Sequence, residues 1–357
     1  MRVRQGYLRV RALATPAVLL ASVANGGFRG VQDTATPLKI VLASNLINFV
    51  LDPILIFGVN TGGVQLVPAL GATGAAAATA VAEWAACGAL LTQLDQKPQL
   101  QGSLRIVDSM PSWQDAAPLL RASGAVFVRS VTLQTVLTTA TGQAARLGTS
   151  SVAAHQVALQ LWLLLSFLVD ALAVAAQTLV AEELGKGSVL RARHVGDRLV
   201  ALGLLLGVAL VVPFIAGGSL LPAAFSADKE VQALVQHLLV YVALMQPLNA
   251  LVFVGDGIGQ GSGDFGYLSR AMLAAGSCAL TSLVWRDASL DVVWQGLVCL
   301  QVGRALGLGW RFYGSTPFLL QSSSVYMEST HEDRCCCCGR RQRPAAPHLP
   351  QTLGMLT

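Results

Sequence analysis

The 357-residue chain is 54% hydrophobic and only 12% charged, with a formal net charge of +5 at pH 7. Soluble domains carry about 25% charged residues. The charge deficit, with a mean hydropathy of +0.58, excludes an ordinary soluble globule and points to an all-α polytopic membrane protein. There is no G-x-x-x-x-G-K-[ST] phosphate loop, metal cluster or catalytic triad. The chain therefore reads as a non-enzyme without a cofactor or an ATPase motor, with the lipid bilayer and no nucleic acid as its partner.

Apolar stretches able to cross a hydrocarbon core of about 30 Å are predicted at 12–28, 38–57, 71–94, 118–141, 152–181, 199–222, 234–258, 270–286 and 291–310. The second contains NLINFVLDPILIF (45–57), in which Asp52 interrupts an apolar helix, with Asn48 one turn before it and Pro53 directly after. Ionisable groups at such depth are costly and commonly functional. Asn48 lies at i−4, on the same helix face, where its amide can donate to Asp52. The third stretch, GATGAAAATAVAEWAACGAL (71–90), is rich in small residues that permit close helix packing. Residues 95–117 form a polar link, and the fourth stretch places Arg129 about a third of the way in.

The fifth stretch opens with His155, read as a satisfied interfacial residue, and continues through Trp162, which either lines a cavity or faces lipid. Asp170 is its buried acid, with Gln177 at i+7. After polar links at 183–198 and 223–230, the seventh stretch carries Asn249 and Asp256, also seven residues apart. The tail from about Gly314 to Thr357 is Ser-, Arg- and Pro-rich and is expected to be disordered. Of the seven cysteines, Cys87, Cys278 and Cys299 lie in apolar runs and read as small buried hydrophobes. Cys335 to Cys338 are adjacent, which is not the spacing of a zinc site.

Alternation through nine spans puts most Arg and Lys, including Arg29, Lys97, Lys186, Arg191, Arg193, Arg198 and Arg311, on one face. That face is expected to be cytoplasmic, or stromal in a plastid. The start, MRVRQGYLRVR, breaks the bias with four arginines on the poorer face. A repeat also emerges. PAVLLASVANGGFRGVQD (16–33) is followed by two spans before the long link, and PLNALVFVGDGIGQGSGD (247–264) is likewise followed by two spans before the tail. The two copies share P-x13-G-x2-D, and internal repeats around a site are the usual plan of secondary carriers.

Taken together, YLRVRALATPAVLL (7–20), FRGVQDTATPL (28–38), NFVLDPILIFG (48–58), GATGAAAATAV (71–81), AAHQVALQLWLLLSFLVDALAVAAQTLVA (153–181) and QPLNALVFVGDGIGQGSGDF (246–265) resemble the multidrug and toxic compound extrusion family. The resemblance is to its DinF-like branch, including plant and algal plastid members. It implies a two-bundle fold of twelve helices, of which about nine are recognisable: 7–94 as the last three helices of the first bundle, 95–117 as the inter-bundle linker, 118–311 as the six-helix second bundle, and 314–357 as the tail. The family's first three helices have no counterpart, which is read as an incomplete gene model.

The resemblance implies a monomeric antiporter exporting small organic solutes or xenobiotics, cationic or amphipathic, against protons or sodium ions. The membrane is a plastid envelope, or else the plasma or vacuolar membrane. A non-transporting truncated remnant or partner subunit is the alternative, and a lipid-linked-substrate flippase a further one, disfavoured because Arg129 is taken as the only arginine in mid-span. The resemblance places Asp52 and Asn48 in the proton or cation site, with sodium binding near Asp52, and matches Thr79 to the hydroxyl of the same network. In the second bundle it matches Arg129 and Asp170 to an Arg and an Asp of relatives. That pair, with Gln177, Asn249 and Asp256, is expected to form a polar network acting as a binding element, a switched salt bridge or a strut.

Overall fold

The computed structural model describes residues 2–61, 64–97, 112–218 and 220–314. The chain divides into two compact units, Met1–Leu119 and Leu120–Thr357. Most of the 95–117 link and the tail beyond Gly314, including Cys335 to Cys338, lie outside the described residues.

The first unit contains α1 (Arg2–Gly30), α2 (Ala35–Phe57), a hairpin of β1 (Val59–Thr61) and β2 (Val64–Val67), and α3 (Ala72–Asp95). The antiparallel hairpin, with a bulge between Val59 and Asn60, is the one addition to an otherwise helical fold among the described residues. Gly58 leads into it at φ 74°, and a Cβ there would meet the Val67 carbonyl at 2.6 Å, so only glycine fits.

The second unit is built from α4 (Trp113–Arg146, starting just before the boundary), α5 (Thr149–Gly185), α6 (Val189–Ala209), the short α7 (Val212–Gly217) and α8 (Leu220–Phe225), α9 (Lys229–Gly261), α10 (Phe265–Trp285) and α11 (Leu290–Gly309). A π-turn at Trp310–Gly314 follows. Among the described residues, eight stretches are long and apolar enough to cross a membrane. The ninth expected span, 118–141, falls within α4. At 34 residues that helix reaches about 51 Å, but its arginines and repeated threonines dilute its apolar content below that of the other eight.

Small residues set the packing. In the first unit α3 packs against both α1 and α2, which barely touch each other. A Cβ on Gly74 would lie 2.2 Å from the Leu55 carbonyl oxygen, so α2 and α3 meet backbone to backbone. No residue of α2 is buried, although the helix is strongly apolar. In the second unit α5 and α9 run parallel and pack closely. Their register advances together from Ser166 beside Asn249 to Ala173 beneath Gly257 and Gln177 beneath Gly261. The core of this unit surrounds Val136, Ala158, Leu238, Trp294 and Leu300.

The repeat read from sequence has a packing counterpart. As in α1–α3, the third helix of α9–α11 packs on both others, while α9 and α10 touch little. Both copies end in an aspartate held by hydrogen bonds. Asp33 accepts from the Thr36 amide at 3.0 Å and its hydroxyl at 2.6 Å, and pairs with Lys97. Asp264 accepts from Arg311 Nε at 2.8 Å.

Candidate functional site

In the first unit the antiparallel approach of α2 and α3 at Gly74 carries Thr79 to the level of Asn48 and Asp52. Asn48 Nδ2 lies 3.5 Å from Asp52 Oδ1 and 3.4 Å from Thr79 Oγ1. The Thr79 hydroxyl donates its own proton to the Ala75 carbonyl at 3.0 Å, leaving its oxygen lone pairs to face Asn48. These contacts are at the long limit for hydrogen bonds, so the three side chains are grouped but not locked. All three are half-buried, and no cationic side chain pairs with Asp52 among the described residues. The oxygens of Asp52, Asn48 and Thr79 are hard donors of the kind that suit a proton or an alkali cation. One turn along α3, Glu83 pairs with Arg11 of α1 at 2.8 Å, an ion pair inside the span that sequence reading missed.

The second unit holds a longer chain of buried polar groups. Asp256 Oδ2 accepts from both Arg129 of α4 and Arg304 of α11. Arg304 Nη1 also donates to Gln301 Oε1 at 2.6 Å, Gln301 Nε2 to Asn249 Oδ1 at 2.6 Å, Asn249 Nδ2 to Ser166 Oγ at 3.0 Å, and Ser166 Oγ to the Trp162 carbonyl at 2.8 Å. Every step from Arg304 donates in the same direction. A guanidinium has donors and no acceptor, so it fixes that polarity. Asp256, Arg304, Gln301, Asn249 and Ser166 are all buried, and the series runs along the parallel α5–α9 seam.

Several expectations are corrected here. Asp170 is exposed on α5 and takes no part in the chain. The buried stripe of α5 runs through Ser166, Val169, Ala173 and Ala176, and Asp170 stands about 100° further round than Val169. Arg129 pairs with Asp256 instead. Gln177 is half-buried, and its backbone carbonyl supports the close approach of Gly261. Arg129 is not the only mid-span arginine, since Arg304 is 4% exposed within α11. Trp162 is buried, and its Nε1 has no partner. His155 is fully buried and not fully satisfied: Nε2 lies 3.3 Å from Thr141 Oγ1, Nδ1 is unpartnered, and the ring meets Trp294 edge-on at 5.9 Å. Cys87 is buried as expected, but Cys278 is exposed and Cys299 half-buried. Ser166, Gln301 and Arg304 were missed by sequence reading. An arginine within an apolar run was the available signal.

These features define a polytopic α-helical membrane protein with an intramembrane polar site in each of its two units. The chain belongs to the MatE family, whose model matches residues 2–54 and 125–284. It is 35% identical over 313 residues to Protein DETOXIFICATION 42 of Arabidopsis thaliana, covering 87% of this chain and 58% of that protein. It is 36% identical over 309 residues to Protein DETOXIFICATION 44, chloroplastic, of the same plant, covering 85% of this chain and 56% of that protein. The chain thus spans little more than half the length of these curated relatives. Its fold resembles that of a MATE crystal structure in the bent conformation, with a TM-score of 0.70 at 18% identity, covering 91% of this chain and 70% of that one.

Proposed function

We propose that the chain serves a secondary antiporter that exports organic solutes in exchange for protons or sodium ions, with Asp52 as the coupling group. The observation that carries this reading is the contrast in partners. Asp52 meets the neutral Asn48 amide at a loose 3.5 Å, and Asn48 in turn lies 3.4 Å from the Thr79 hydroxyl, whereas Asp256 is held by two guanidiniums. A carboxylate among neutral groups can take up and release a cation without stranding an opposite charge. Asn48 orients it, and the Thr79 oxygen offers a further ligand. Cation binding balances the Asp52 charge, alters the α2–α3 contact and shifts the conformational equilibrium. Solute affinity then changes reciprocally with ion affinity. Asp256, with Arg129, Arg304 and Asn249, is the strut of the other unit. Similarity to a relative named chloroplastic supports a plastid envelope as the membrane.

Proteoliposome flux under an imposed proton or sodium gradient tests the assignment. Asp52→Asn keeps size and hydrogen-bonding capacity but cannot titrate, and is expected to abolish gradient-driven flux at near-normal expression. Asn48→Ala should be milder. Unchanged coupled flux in Asp52→Asn would remove Asp52 from the mechanism. The gradient that sustains flux in the unaltered protein identifies the ion.

A further inference from the structure

Cys278 of α10 and Cys299 of α11 face each other with their sulfurs 3.3 Å apart. Their helices form an antiparallel hairpin joined by the short turn at 286–289. Small residues hold the backbones close on both sides of the pair. A Cβ on Gly303 would lie 2.9 Å from Ala275 Cβ, and one on Gly296 would lie 2.7 Å from Leu283 Cδ2. Backbones at this distance suit the Cα separation of about 4.4–6.8 Å that a disulfide bridges. Both residues are free thiols, and Cys278 is exposed. Cys87 differs on both counts, being buried in α3 with no neighbouring sulfur among the described residues.

Both cysteines lie within helices that are apolar and long enough to span a bilayer, and Cys278 is exposed. An oxidant that partitions into lipid, such as an organic hydroperoxide, suits a thiol so placed. We propose that Cys278 and Cys299 are a hydroperoxide-sensitive dithiol that closes to a disulfide between α10 and α11. The Cys278 sulfur attacks the peroxide O–O bond and becomes a sulfenic acid, releasing an alcohol. The Cys299 sulfur then attacks the Cys278 sulfur, its proton leaves with the hydroxyl as water, and the S–S bond forms. Two thiols are oxidised and one hydroperoxide is reduced to alcohol and water.

Closure draws the sulfurs from 3.3 Å to about 2.05 Å and pins α11 to α10 two residues before Gln301 and five before Arg304. The bond therefore ties the polar chain of the second unit to its hairpin, and redox state controls how freely α11 moves.

The test treats the protein in liposomes with cumene hydroperoxide, blocks residual thiols with a maleimide, and maps peptides without reduction. A parallel sample is oxidised with copper phenanthroline, which forces a bond between thiols already in contact. The expected result is a linked 278–299 peptide pair in both samples, reversed by dithiothreitol and lost in Cys278→Ser and in Cys299→Ser. No linked pair in the copper sample would refute the contact. Linkage by copper but not by the hydroperoxide would overturn the proposed sensitivity, as would oxidation of Cys278 to sulfinic acid without linkage.

Discussion

In the triplet α1–α3, Asp52 lies on the second helix, half-buried, 3.5 Å from the Asn48 amide, which itself lies 3.4 Å from Thr79. In the triplet α9–α11, Asp256 lies on the first helix, buried, with two guanidiniums on one carboxylate oxygen. The packing plan is shared, with the third helix touching both others in each triplet. The polar chemistry laid on it is opposite. A carboxylate clamped by two arginines cannot lose its charge without leaving like charges buried together, so it suits a fixed joint. A carboxylate among loosely placed neutral groups suits exchange. The same backbone arrangement therefore carries a carboxylate clamped by two arginines in one place and one with a single loose amide contact in the other.

The largest effect expected from breaking this contrast is in Asp256→Asn. It leaves Arg129 and Arg304 without their shared anion and should destabilise the second unit by about 3–5 kcal/mol. Asp52→Asn, in a site without ionic partners, should change stability by no more than about 0.5 kcal/mol. Unfolding midpoints in detergent measure both, and an equal loss in the two variants would erase the distinction. Arg304→Met should cost less than Asp256→Asn, about 1–3 kcal/mol. It leaves a neutral Arg129–Asp256 pair and removes only the donor to Gln301 Oε1 and the second clamp. A loss exceeding that of Asp256→Asn would mean that the chain beyond Arg304, not the charge cluster, holds the unit.

The smallest effect lies at the α1–α2 turn. Hydrogen bonds from Lys97, and then from the Thr36 hydroxyl and amide, hold Asp33 well below its ordinary value of 3.8. The folded state thus favours the carboxylate, and the stabilisation is fully present above 3.8. It is lost as pH falls through the depressed folded value. The difference in unfolding midpoint between the unaltered protein and Asp33→Asn should stay constant from about pH 8 to about pH 5 and narrow on further acidification. It should also shrink with added salt, because the turn is exposed to solvent. A difference that narrows already near neutrality would assign the effect to another group.

How much of this was legible in the sequence depends on range. Asn48 and Asp52 could be read together because both sit on one helix at i and i+4, where local geometry fixes their relation. Thr79 needed a family resemblance, since the α2–α3 register that brings it near is set by Gly74 against Leu55. Asn249 and Asp256 stood out as polar residues in an apolar run, but their partners are 83 and 127 residues away in sequence. Hydropathy reports depth along a span and not the direction a side chain faces, which is why Asp170 was taken for a buried acid and Arg304 was passed over. The two cysteines looked isolated for the same reason: the hairpin that joins them is a tertiary fact.

The polar chain of the second unit also has an order in time. Arg129 is synthesised 127 residues before Asp256, an interval of roughly 6–25 s at translation rates of about 5–20 residues per second. Arg304 arrives another 48 residues later. During that interval Arg129 exists without its acid, and Ser166 without Asn249. The polar chain is therefore complete only once α11 has been made, since Arg304 and Gln301 both lie on it. A ribosome paused between α9 and α11 would leave Asp256 with Arg129 alone, and α11 would be the helix whose arrival commits the bundle to its final packing.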